Sequence, residues 1–288
     1  MSEVRVLRRI TDELTKASGD LPDGEATALW AAVAGLSPAA VWLTRDAEAA
    51  PDVVQRFWNA VAQRKRGVPF AYVAGSVGFR TLDLKTDPRA LIPRPETEGL
   101  VELVLNRTGM REAGCGMRGL AADIGTGSGC IALALAVEGC FERVIAVEQS
   151  AGAAALAREN VQRIAPPTPV EIREGNLLAP LVDKGERFRA IVSNPPYVSV
   201  AEWDELDASV RDFEPRDALV SGVTGLDATR GLFAGAARLL EPGGLLALEI
   251  DERRADAVRA LGADFGWTVT IYDDLFGCPR YALSTKED

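Results

Sequence analysis

From Glu96 onward, short apolar runs alternate with helix-length stretches, and this alternation restricts the fold more than any other feature of the chain. The runs are Gly119 to Asp123, Val144 to Glu148, Val170 to Arg173, Ala190 to Ser193 and Leu245 to Ile250. A run apolar on both faces is a strand covered on both sides. Strands separated by helices join in parallel through crossovers, so residues 96–288 are expected to form an α/β domain with a mostly parallel sheet between helical layers. Trp267 to Tyr272 and Arg280 to Ser284 follow one another without a helix, which predicts an antiparallel edge. Residues 1–70 differ in texture. Val4, Leu7, Ile10 and Leu14 repeat at helical spacing, as do Val53, Val54, Phe57, Trp58 and Val61 after Pro51, which predicts a small helical bundle. Between them, residues 71–95 alternate Phe79, Leu82 and Leu84 with polar residues, Gly and Pro, the pattern of a hairpin or linker.

Composition excludes several chemistries. The chain has no histidine, which removes Ser-His and Cys-His nucleophile pairs and any histidine-completed zinc site. Cys115, Cys130, Cys140 and Cys278 lack C-x-x-C spacing, so neither a metal nor a disulfide is expected. A net charge of −10 disfavours a phosphate backbone as partner, and no stable nucleic-acid binding is expected. The one basic cluster, Arg64-Lys65-Arg66, reads as a solvated helix end. No run approaches the roughly 20 apolar residues of a membrane span, and the N-terminus lacks a signal-peptide core, so the expectation is a cytoplasmic protein. No heptad pattern appears, which leaves a monomer as the expectation.

Ala122-Asp123-Ile124-Gly125-Thr126-Gly127-Ser128-Gly129 joins a strand to the helical run from Cys130 to Val137. Alternate glycines let the backbone turn tightly and let a ligand approach bare main chain at a helix N-terminus. A dinucleotide fingerprint places its third glycine at position 130, where this chain has Cys130, and no Gly-Lys-Ser/Thr ending marks a phosphate loop. Asp123 can meet a cationic amino group, and Glu148, ending the next strand, can accept from two ribose hydroxyls. The set suits a nucleoside with an amino-acid tail.

Asn194-Pro195-Pro196-Tyr197 follows the strand Ala190 to Ser193, at the edge where open parallel sheets place ligands. The two prolines stiffen the loop and remove backbone donors. The Asn194 side-chain oxygen and the Pro195 carbonyl can accept both hydrogens of an NH2 group, holding it and stabilising positive charge that grows on nitrogen. Tyr197 can pack on a planar amide and exclude water. Acceptors do this without a general base, in keeping with the missing histidines.

These motifs, with Leu91-Ile92-Pro93-Arg94-Pro95-Glu96-Thr97-Glu98 and Phe213-Glu214-Pro215-Arg216-Asp217-Ala218-Leu219, resemble the peptide chain release factor glutamine-N5 methyltransferases of the HemK type over nearly the whole chain. The Asn-Pro-Pro-Tyr motif alone is shared with adenine-N6 methyltransferases of nucleic acids, the alternative reading. The Pro-Arg-Pro-Glu-Thr-Glu segment selects the glutamine family. The resemblance implies a class I, Rossmann-like seven-stranded sheet with an antiparallel last strand, S-adenosylmethionine as cofactor (leaving as S-adenosylhomocysteine), and a class I release factor as protein substrate, docked partly by the helical domain. It implies that Asp123, Gly125, Thr126, Gly127, Gly129, Glu148, Asn176 and Asn194 bind the cofactor, and that Asn194, Pro195, Pro196 and Tyr197 hold the glutamine, with Arg94 and Glu96 positioning a loop. This chain departs from the family's pattern in three places. Asn176 replaces an aspartate, Glu148 replaces an aspartate, and Ile250-Asp251-Glu252-Arg253-Arg254 replaces a Gly-x-x-Gln turn.

Overall fold

A computed structural model describes residues 9–110 and 119–286. The predicted helix positions Val4 and Leu7, together with Cys115, lie outside them. The chain forms two compact units, one of Met1–Ser76 with Ala208–Phe213, the other of Val77–Asp207 with Glu214–Asp288.

The first unit holds α1 (Ile10–Ser18), α2 (Glu25–Ala34), α3 (Pro38–Thr44), α4 (Pro51–Lys65) and α5 (Phe70–Ala74). Proline at the first turn of α3 and of α4 starts each helix where its missing N–H costs nothing. The core is built on Leu29, Trp30, Val41, Phe57 and Val61. Trp30 and Phe57 meet edge to face at 5.0 Å, a favoured aromatic arrangement. Two members of the basic cluster at the end of α4 are held by acids: Arg64 binds Glu25 at 2.5 Å and Lys65 binds Asp20 at 2.9 Å. Among the described residues no single helix is long and apolar enough to cross a membrane.

The second unit begins with the hairpin β1 (Ser76–Phe79) and β2 (Leu82–Lys85), then α6 (Pro95–Thr108), β3 (Leu120–Ile124), α7 (Cys130–Glu138), β4 (Arg143–Glu148), α8 (Ala151–Ile164), β5 (Val170–Glu174) and β6 (Phe188–Ser193). After the short α9 (Ala208–Arg211), which belongs to the first unit, come α10 (Asp227–Ala236), β7 (Leu240–Glu249), α11 (Ala255–Asp264), β8 (Thr268–Asp273) and β9 (Pro279–Thr285). The seven-stranded sheet has the order β5-β4-β3-β6-β7-β9-β8. Its first five strands pair in parallel, whereas β9 runs antiparallel to both neighbours. The antiparallel strand therefore sits inside the order, with β8 at the edge. Alternate residues feed two cores. Ala121, Val144, Val192 and Ala247 pack with Leu100, Val104 and the apolar Ile131 to Ala136 run of α7 on one face. Ala122, Ile145, Ile191 and Leu248 pack with Leu232, Phe233 and Leu261 on the other. Burial on both faces is why these strands lack polar alternation.

One expectation is corrected. Cys130 and Cys278 are free thiols, but Cys140 is disulfide-bonded. Linear spacing does not report which thiols the fold brings within bonding distance.

Candidate active site

After β3 the backbone turns through Gly125, Gly127 and Gly129 at φ of 72°, 57° and 89°, values that a Cβ disfavours. The amides of Gly125 and Thr126 both donate to the Val147 carbonyl, at 2.8 and 3.0 Å, which ties the loop to β4. At Gly129 an added Cβ would touch Leu133 at 3.4 Å and Ala157 at 3.5 Å, so α7 and α8 already approach closely there.

Two acids close the ends of β3 and β4. The buried Asp123 anchors the loop from behind, accepting from the Thr126 hydroxyl and, at 3.0 Å, from the Ala132 amide, while its Oδ1 has no partner. Glu148 accepts from the Gly127 and Ser150 amides, both at 2.9 Å, which fixes its carboxylate at the rim. A cavity of about 450 Å³ opens here, bordered by Gly125, Gly127, Glu148, Asn176, Asn194, Pro195 and Pro196. That volume lies in the range of small-molecule sites. Asp123, Thr126 and Gly129 build the wall behind this lining, and Tyr197 also lies outside it.

The donor set fits a nucleoside with a cationic tail. Glu148 offers acceptors to a diol, and Asp123 carries an unpaired buried oxygen of the sign a cation needs. Burial pushes the Asp123 carboxyl up to about 7, while its bonds to Thr126 and Ala132 pull it down. The unfolded chain ionises this group at an ordinary carboxylate value, so its contribution to stability is full in acid and is lost as pH rises toward 7. The unfolding midpoint of Asp123→Asn should accordingly change less than that of the wild type between pH 5 and 7.5; equal slopes would remove Asp123 as the source.

The opposite wall comes from the end of β6. The Ser193 hydroxyl donates to the Ile124 carbonyl at 2.7 Å, locking β6 to β3. The next residue, Asn194, donates through Nδ2 to the Thr97 hydroxyl at 3.2 Å, and Thr97 donates to Glu249 at 2.6 Å. Burial pushes the Tyr197 hydroxyl up to about 12, reinforced by Glu249, so it stays protonated at neutral pH. The chain beyond is stitched to a neighbouring segment: the Val198 amide donates to Leu219 at 2.9 Å and the Ser221 amide to Val198 at 2.8 Å. Gly225 lies so close that a Cβ there would sit 2.3 Å from the Tyr197 carbonyl.

Comparison with known proteins decides the family. A model described as PrmC N-terminal domain matches residues 5–75, and one described as Methyltransferase small domain matches 104–209. The release factor glutamine methyltransferase of Deinococcus radiodurans is 37% identical, with 98% of this chain and 97% of that one covered. The one from Moorella thermoacetica is 44% identical over 76% of this chain and 75% of its own. This chain belongs to the release factor glutamine methyltransferase family. Among solved structures, the 16S rRNA N2 G1207 methyltransferase of T. thermophilus in complex with AdoMet and guanosine is similar with a TM-score of 0.51 at 18% identity, covering 74% of this chain and 50% of that one. That likeness shows a shared fold.

The family segments now have contacts. Arg94 pairs with the buried Glu214, which also accepts from the Ile92 amide at 3.0 Å. The Phe-Glu-Pro-Arg segment thus holds the Pro-Arg-Pro loop in place. The Glu96 carbonyl accepts from the Tyr281 hydroxyl at 2.7 Å. In place of a Gly-x-x-Gln turn, Arg253 binds Asp251 at 2.6 Å, and Arg254 binds Asp251 at 3.0 Å, pairs with Glu202 and donates to the Thr224 carbonyl at 3.1 Å. Sequence reasoning placed Thr97 and Glu214 within the family segments without giving them a role, and left out Gly225 and Glu249. A signal for the last was present: Glu249 closes its strand as Asp123 and Glu148 close theirs.

Proposed function

We infer that this chain methylates the N5 side-chain amide of the glutamine in the Gly-Gly-Gln motif of class I peptide chain release factors, using S-adenosylmethionine. The observation that carries this is the Asn194 amide, fixed by Thr97 and Glu249 on the wall of a cavity whose other side is the glycine loop and Glu148. The family supports the same substrate.

When bound, S-adenosylmethionine supplies an electrophilic methyl on a sulfonium. Every other contribution comes from the chain. Glu148, Asn176 and the glycine loop would hold the nucleoside, and Asp123, behind that loop, would supply negative charge toward the amino group. Asn194 Oδ1 and the Pro195 carbonyl accept the two N–H hydrogens of the glutamine amide. An amide lone pair is delocalised and a poor nucleophile. The acceptors would draw electron density toward nitrogen and stabilise the positive charge that grows there as it takes the methyl group. One of the two N–H protons then leaves to solvent, so that the methylated amide ends neutral. Tyr197, protonated, can cover the amide plane and exclude water. The helical unit, with Trp42 and Leu43 of α3 62% and 77% exposed, is assigned to docking the substrate protein. The enzyme acts as a cytoplasmic monomer, without stable nucleic-acid binding.

The experiment is mass spectrometry of a class I release factor after incubation with this protein and S-adenosylmethionine. One added methyl on the Gly-Gly-Gln glutamine is expected. Methyl transfer to adenine in RNA or DNA, with none to the release factor, would replace this reading with the nucleic-acid one.

A further inference from the structure

We propose that Thr97 and Glu249 are positioning residues that decide which end of the Asn194 amide faces the substrate. The inference rests on the glutamine-methylation reading above and adds the device that makes its central side chain usable. The two ends of an asparagine amide have nearly the same shape, and only their hydrogen bonds distinguish them. Asn194 is useful with its oxygen toward a substrate NH2. Turned over, it would present its own N–H groups to the substrate's N–H groups.

The structure contains a chain of constraints against that flip. Glu249 ends β7, Thr97 lies in the first turn of α6, and each is 2% exposed. An ionised carboxylate only accepts. The Thr97 hydroxyl, 2.6 Å from Glu249 Oε2, therefore commits its single hydrogen to that oxygen. With its hydrogen spent, the hydroxyl can only accept from its other neighbour, and that neighbour is Asn194 Nδ2 at 3.2 Å. The Asn194 amide also favours the charged form of Glu249. Both inner partners thus demand donors, so the NH2 end is held inward. The Oδ1 end is the part left for the cavity that Asn194 borders.

The ionised form of Glu249 is what imposes the direction. Burial raises its carboxyl to about 7; the bonds from Thr97 and Asn194 and the charge of Arg280 on β9 favour ionisation, while Glu96 on α6 opposes it. Tyr197 and Tyr281 also face it, both protonated at neutral pH. Measurements at pH 8 keep the carboxylate mainly charged.

The test compares Thr97→Val, which keeps the shape and removes the hydroxyl, with Thr97→Ser, which keeps the hydroxyl. The valine variant should lose about tenfold or more in kcat, the worth of one mispositioned hydrogen-bonding group, with the KM for S-adenosylmethionine unchanged, and the serine variant should recover most of the loss. In 15N-labelled protein, the Asn194 side-chain amide hydrogens should exchange slowly in the wild type and in Thr97→Ser and faster in Thr97→Val. A wild-type kcat in Thr97→Val, or equal exchange in all three proteins, would overturn the proposal. If the wild type methylates no release factor, the functional reading fails, while the exchange measurement, which needs no substrate, still decides the positioning claim.

Discussion

Replacing Asn194 with alanine lowers the rate of glutamine methylation by about a hundredfold or more, roughly 3 kcal/mol, the magnitude seen when one preorganised polar group is removed from a site of growing charge. The loss should fall on kcat. Asn194 borders the cavity together with Glu148 and the glycine loop, which the nucleoside keeps in the variant, so cofactor affinity measured by calorimetry should fall far less than kcat. The side chain is only half-buried, so the unfolding transition should shift little. A variant that keeps its kcat would show that the amide is held by something other than Asn194, and the acceptor mechanism would have to be abandoned.

Phe57→Ala carries the largest expected stability effect, about 3–5 kcal/mol, typical for truncating a fully buried aromatic. Phe57 has no exposed surface, meets Trp30 at 5.0 Å and Trp58 at 5.6 Å, and anchors a core supplied by short helices. A unit of this size has little stability to spare. Chemical denaturation should show the helical unit melting at lower denaturant than the α/β unit, with cofactor affinity retained. If that unit docks the substrate, KM for an intact release factor rises as it melts. A release-factor KM that stays constant while circular dichroism shows the helices lost would remove the docking role.

The sheet was legible because β3, β4, β6 and the second half of β7 are buried on both faces, which writes apolar runs into the sequence, while the edge strand β5 is only half-buried and alternates Val and Ile with charged residues. Strand starts at Leu120, Arg143 and Val170 lie within one residue of the expected positions. The beginning of β7 at Leu240 was hidden, since Pro242-Gly243-Gly244 reads as a turn. The order of the last two strands was hidden as well: adjacency in sequence shows that β8 and β9 pair, but which of them meets β7 depends on tertiary packing. In the site, Gly125 and Asn194 stood out because their chemistry is local, needing only a positive φ or an exposed acceptor at a strand end. Thr97, Glu214 and Glu249 did not, because their roles exist only through partners 97, 120 and 152 residues away in the pairs Asn194–Thr97, Arg94–Glu214 and Thr97–Glu249. Long-range hydrogen bonds leave no periodic trace.

The membership of Ala208–Phe213 in the helical unit bears on how such a protein can be rebuilt. The polypeptide enters that unit twice, and the Phe213 ring lies 3.5 Å from where a Cβ on Gly67 would be. Cutting the chain near residue 76 would therefore leave half of a mated surface behind, with an aromatic ring stripped of its seat. Transplanting a foreign helical unit onto this catalytic unit needs three junctions made together, one after the N-terminal segment and one on each side of Ala208–Phe213. The specificity of a hybrid would depend on all three joints matching.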